Sequence, residues 1–190
     1  MKIALFLSAL VVLVPVTSMA QSPGASIAPN TSPPPPPATK LEAFKPSAGS
    51  VVTLGYDDLG SVRAVEVDVR ELRESSARGT TARGLLVEVS EGQYRKERSF
   101  VDADEIPELL RGIDALLEVK TNPTSFKNFE VRYTTKGELR LTAFNSGNQI
   151  KYAVEAGRGV KAQCFVDVDD MQRLRQMFAA AQTRLTAGSQ

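Results

Sequence analysis

The stretch Phe100-Val101-Asp102-Ala103-Asp104-Glu105-Ile106-Pro107-Glu108-Leu109 returns later in the chain as Phe165-Val166-Asp167-Val168-Asp169-Asp170-Met171-Gln172-Arg173-Leu174. Phe, Val, two Asp and the closing Leu recur at the same offsets, with Glu105/Asp170 and Ile106/Met171 exchanged conservatively. Each copy reads as a β-strand handing over to an amphipathic helix. Beyond the first, Ile106, Leu109, Leu110, Ile113, Leu116 and Leu117 fall on one helical stripe, with Glu108, Arg111, Asp114 and Glu118 opposite. Asn122-Pro123 ends that helix. Beyond the second, Met171, Leu174, Met177, Phe178, Ala181 and Leu185 form the equivalent stripe.

Upstream of each copy the apolar period changes to two, the signature of half-buried strands. In the first half Val52, Leu54 and Tyr56 alternate, and a turn is expected at Asp57-Asp58-Leu59-Gly60. Val65, Val67 and Val69 alternate with Glu66, Asp68 and Arg70; Leu85, Val87 and Val89 follow, and Tyr94 to Val101 runs into the motif. In the second half the corresponding sets are Phe129, Val131 and Tyr133; Leu139, Leu141 and Ala143; Ile150, Tyr152 and Val154; and Val160 to Val166. Short polar turns join consecutive strands, which makes the pairing antiparallel. The fold class is therefore α+β: two ββββα units with antiparallel sheets, each followed by an amphipathic helix packed on the sheet. One domain over 41–187 would contain both pseudo-repeats, about 51–121 and 126–187. Two sheets or one continuous curved sheet both satisfy this pattern.

The N-terminal 40 residues have a different character. Lys2, an apolar run from Ile3 to Val16, and small residues at Ser18 and Ala20 read as a signal peptide over 1–20, cut after Ala20. Gln21 stands where a lipoprotein needs its lipidated Cys. Residues 21–40 read as a Pro-rich disordered linker; Pro33 to Pro37 suit polyproline II at about 3.1 Å per residue, a stiff spacer. The expected location is secreted or periplasmic, with no membrane span after cleavage.

Composition narrows the chemistry. The chain has 23 Lys+Arg against 22 Asp+Glu, and removal of Lys2 leaves 22 of each, so no bulk charge attracts nucleic acid. There is no His, which removes the commonest general base and metal ligand. With a single Cys, Cys164, no internal disulfide can form, and its alternation with Val160, Ala162 and Val166 places it on an inward strand face. No nucleophile elbow, S-x-x-K, phosphate-binding Gly-rich loop or zinc-ligand cluster occurs. The expectation is no enzyme and no cofactor.

Three features invite a site. Asp102, Asp104 and Glu105, and again Asp167, Asp169 and Asp170, offer carboxylates to a hard cation, but they lack the calcium-loop spacing. Helix N-termini favour Asp for a simpler reason, because unpaired amides and a positive dipole end lie there. Capping is the preferred reading. The Arg73–Arg83 loop could grip an anion but reads as a solvated hairpin. The third feature is the set of outward strand positions: Glu66, Asp68, Arg70, Glu88, Glu130, Arg132, Arg140, Thr142, Phe144, Lys151, Lys161, Gln163 and Phe165. Of these, Arg132, Arg140, Phe144, Lys151 and Phe165 form the candidate interaction surface. A solvated face with charge pairs, a stacking platform for single-stranded nucleic acid, and cover by another part of the domain are the competing readings.

The segment Thr124-Ser125-Phe126-Lys127-Asn128-Phe129-Glu130, followed by Tyr133-Thr134-Thr135-Lys136-Gly137, resembles a family of small exported bacterial proteins of unassigned function, over roughly Val65 to Leu185. That resemblance implies a bacterial source and brings no catalytic residues. In element order the chain also resembles Whirly-type single-stranded DNA-binding proteins, whose charged DNA-binding motif has no counterpart here; shared order does not carry function. The functional expectation is a non-catalytic binding or interaction domain whose partner is an unknown protein or envelope component, with no nucleic acid expected. A small apolar ligand carrier is the alternative; a single-stranded nucleic-acid binder or a hydrolase ranks lower.

Overall fold

Period-two alternation and tight turns produce two separate four-stranded antiparallel sheets. In the computed structural model, which describes residues 36–75 and 79–187, β1 (Val51–Val62), β2 (Val65–Ser75), β3 (Thr81–Glu91) and β4 (Arg95–Asp102) pair in chain order. A second sheet follows the same plan with β5 (Glu130–Thr134), β6 (Arg140–Ser146), β7 (Gln149–Ala156) and β8 (Ala162–Val166). The first sheet leads through a 3-10 turn (Ala103–Glu105) into α2 (Ile106–Leu117), and the second leads into α3 (Val168–Ala187). A short α1 (Lys40–Ala43) precedes β1. The fold is α+β with two ββββα units.

Val65, Val67, Leu85, Val87, Val89 and Val101 line the inner face of the first sheet at full burial, and Leu141, Ala143, Val154 and Ala162 that of the second. Cys164 is buried among them, as its alternation requires. Helix positions Ile106, Leu109, Ile113 and Leu116, with Met171, Leu174, Phe178 and Ala181, complete one continuous cluster. Sequence order sets each helix behind its own sheet, yet α2 comes closest to β5 and β6, and α3 to β1 and β2. Gly112 makes the first contact possible: a Cβ there would lie 2.5 Å from the Tyr133 ring. Burial against this helix pushes the Tyr133 phenol pKa up, with Glu105 and Glu108 adding to the effect. At the other contact, Arg184 of α3 pairs with Asp57 of β1. The helices also touch each other, with Arg175 Nη2 donating to Asp114 Oδ2 at 2.8 Å. This exchange joins the two repeats into one core.

Four local readings change. The turn expected at Asp57–Gly60 is a β-bulge inside a twelve-residue strand: Gly60 N–H donates to Asp58 Oδ1 (2.6 Å), Gly60 takes φ +100°, and the register shifts between Asp58 and Ser61. Asp-x-Gly chemistry is the same in a turn and in a bulge, and strand pairing on both sides decides which one forms. The chain reverses instead at Arg63-Ala64, between the paired Val62 and Val65, with Arg63 at φ 52°. Val52, Leu54 and Tyr56, expected to be half-buried by alternation, are all exposed: the register sets Asp57 opposite the buried Val69 and Tyr56 opposite the outward Arg70, so the three side chains lie on the face turned away from the helices. Glu88 is an outward position but is buried, clasped by Lys96 Nζ (3.0 Å) and Arg98 Nε (2.6 Å), which hold its carboxyl pKa below the ordinary value.

Thr39 and Lys40, at the end of the expected linker, belong to the fold. Thr39 caps α1 in a reciprocal box with Glu42, and Lys40 N–H donates to both Asp102 carboxylate oxygens at 2.9 and 3.0 Å. The expected signal peptide, the linker up to residue 35, and Arg78 lie outside the described residues. Among the described residues no helix is long and apolar enough to cross a membrane.

Candidate functional site

Register on the second sheet brings all five candidate residues onto one face. Glu130, Phe144 and Lys151 form one cross-strand row; Arg132, Thr142, Ala153 and Phe165 form the next; Thr134, Arg140, Glu155 and Gln163 form the third. Residues two apart on a strand share a face, and antiparallel pairing carries that side across the sheet. The Phe144 and Phe165 rings meet edge to face, with centroids 5.9 Å apart and planes at 69°. Phe165 is 63% exposed, so no described part of the domain covers the pair.

Shallow hollows flank these rings. One, of about 280 Å³, lies over Arg132, Arg140, Thr142 and Ala153. The other, of about 370 Å³, is bounded by Arg63, Ser146, Lys151 and Asp167. Both include Phe144 and Phe165 in their walls.

The charges on this face are mostly neutralised within it. Arg132 pairs with Glu130, and Arg140 Nη1 with Glu155 Oε2 at 3.1 Å. Gln163 Nε2 donates to the other oxygen of Glu155, also at 3.1 Å. Arg63 donates to Asp170 and to Asp167 (2.8 Å), and these carboxylates push its pKa above the ordinary guanidinium value. Lys151 has no carboxylate partner among the described residues. Its register neighbour is Phe144, with Phe165 one row away. The face therefore offers two aromatic edges and one uncommitted cation, framed by arginines already held.

The acidic motif copies are engaged elsewhere. Asp167 Oδ1 accepts from Asp170 N–H at 2.9 Å, and Asp170 Oδ2 accepts from Asp167 N–H at 3.3 Å, a reciprocal cap on α3. In the first copy Asp102 and Glu105 make no cap bond; their carboxylates take the Lys40 and Lys136 amides instead. The capping expectation holds for the second copy and is corrected for the first. Among the described residues no group of three or more Cys, Asp and Glu is arranged to hold a metal ion. Of the Arg73–Arg83 hairpin, Arg73 of β2 and Arg83 of β3 both turn onto Glu71 of β2.

Sequence reasoning missed the exposed segment Val51–Tyr56. The available signal was its uncharged composition: a half-buried strand ordinarily carries polar residues on its wet face, and only Thr53 is polar there. Compared with known proteins the chain stands apart: no family model matches it, and neither the curated proteins nor the solved structures provide a match.

Proposed function

We propose that this chain is a non-catalytic binding domain of the secreted or periplasmic space, docking another protein or envelope component on the outer face of its second sheet. The observation that carries the reading is Phe165, 63% exposed beside Phe144 on a face whose arginines are already paired. Covering such a ring contributes about 1.5–3 kcal/mol, enough to make it an anchor. Lys151, lacking a carboxylate of its own, favours a partner that sets an acidic group close to an apolar one. Arg132 and Arg140 would have to give up Glu130 and Glu155 to bind phosphates, which disfavours the nucleic-acid reading. A carrier of small apolar molecules would need room between helix and sheet, where Ile106, Leu109, Met171 and Leu174 pack at full burial.

A photo-crosslinking residue placed at position 165 in cells of the producing organism tests the proposal, with exposed position 183 on α3 as the control. Discrete adducts from position 165, weakened by Lys151→Glu and absent from position 183, are expected. Recovery of the protein without adducts from position 165 would refute the docking face.

A further inference from the structure

The edge strand β1 has two unlike halves. From Asp57 onward it carries two exposed acids and the bulge between Asp58 and Ser61. Charges and bulges are the usual means by which an edge refuses a further strand. From Val51 to Tyr56 there is no charge, no proline and no bulge. Four large apolar side chains there stand in solvent: Val51 at 68%, Val52 at 37%, Leu54 at 48% and Tyr56 at 72% exposure.

The opposite edge strand of this sheet, β4, is packed against the second sheet and its turns. Gly157 N–H donates to Ser99 Oγ at 3.1 Å, and Arg95 Nη1 reaches the Lys161 carbonyl at 3.5 Å. The Gly137 backbone abuts the Phe100 carbonyl so closely that a Cβ there would lie 2.0 Å from its oxygen. Among the described residues, no strand pairs with this half of β1 on its outer side.

We infer that Val52–Tyr56 pairs antiparallel with the same segment of a second copy, forming a two-fold dimer with a continuous sheet across both protomers. A second copy fits better than a foreign strand because the segment complements itself. Pairing centred on Leu54 sets Val52 against the partner's Tyr56, Thr53 against the partner's Gly55, and Leu54 against its own symmetry mate. The outer-face pairs are then all apolar, including the aromatic–β-branched combination that stabilises antiparallel strands, and no like charges meet. Because the contact is two-fold and uses the same bare half-edge on both copies, the assembly closes at two and does not extend into a filament. Asp57 and the bulge confine the contact to a short stretch, smaller than a standard interface of about 800 Å² per partner, so dissociation in the micromolar range is expected.

Sedimentation equilibrium of the protein produced from its full-length chain tests this. A monomer–dimer equilibrium is expected, weakened at least tenfold by Leu54→Lys, which sets like charges opposite each other at the two-fold axis. Under mild oxidation Leu54→Cys should give a disulfide-linked dimer, whereas wild type, whose single Cys164 is buried, should not. Phe165→Ser should leave the dimer intact, which separates this contact from the proposed docking face. A wild-type chain that stays monomeric to high micromolar concentration overturns the inference, as does a dimer that Leu54→Lys leaves unchanged. If Leu54→Lys fails to fold by circular dichroism, the Leu54→Cys crosslink decides, and its failure to form counts against the pairing.

Discussion

The two strand-to-helix junctions share their letters and differ in what their carboxylates do. At Asp167–Asp170 the acids serve their own helix: each side chain accepts the other's amide, and Arg63 closes over them from the β1–β2 turn. At Asp102–Glu105 the acids serve distant chain. Asp102 holds the Lys40 amide and with it α1, while Glu105 Oε1 accepts from Lys136 N–H at 2.7 Å, in the turn between β5 and β6. Pro107 explains part of the difference. It sits in the first turn of α2, where a missing N–H costs nothing, and the 3-10 turn before it aims Asp102 and Glu105 away from the helix end. One copy is a local cap, and the other is a clamp that assembles separate segments. A repeated motif can therefore preserve a backbone path while its polar groups are reassigned.

The largest effect that could break this comparison is at the clamp. Asp102 is 3% exposed, and Asp102→Ala strands the Lys40 amide, so a loss of about 1.5–3 kcal/mol in urea unfolding is expected. Amide exchange over Leu41–Ala43 should rise at the same time. At the other junction Asp167→Ala should cost about 1 kcal/mol, the ordinary value of a cap. Serine sharpens the contrast: Asp167→Ser should recover most of that loss, since Ser also caps, whereas Asp102→Ser is too short to reach Lys40. Equal rescue by serine at both sites would mean that the two copies play the same part.

The smallest effect is a pH dependence at a second hold on the same N-terminal segment. Ser47 N–H donates to Glu74 Oε1 at 2.8 Å, and this bond, with help from the Ser47, Ser50 and Thr80 hydroxyls, lowers the Glu74 pKa from 4.5 to about 2. A depressed folded-state pKa stabilises the fold above the unfolded value, so this contribution is complete above about pH 4.5 and drains away as pH falls towards about 2. Denaturation midpoints measured through that window should fall less steeply for Glu74→Gln than for wild type. Parallel curves would remove Glu74 from the account.

Much of the candidate face was legible before the structure. Phe144, Lys151 and Phe165 land together because each strand alternates and short turns leave little freedom of register. The Arg132–Glu130 pair is readable too, two residues apart on one strand, whereas Arg140–Glu155 depends on cross-strand alignment. What was not legible is which cation stays free. Lys151 is distinguished by making no ion pair among the described residues, a property of the assembled sheet. The bare half of β1 was misread for a related reason: Val52, Leu54 and Tyr56 have the pattern of a buried face, and nothing local to them reports that the register, shifted between Asp58 and Ser61, turns that face outward.

The residue pattern alone specifies the order of the eight strands and the two long helices, the antiparallel sense of both sheets, the buried stripe on each of these helices and the inward setting of Cys164. These follow from periodicity and turn chemistry, which act within a few residues. Long-range packing settles that α2 and α3 exchange sheets, that Asp102 reaches Lys40 across the chain, and that Asp57–Gly60 bulges without turning. Each of those depends on which surface arrives opposite, and hydrophobic burial, being non-directional, leaves that choice to the packing of the whole domain.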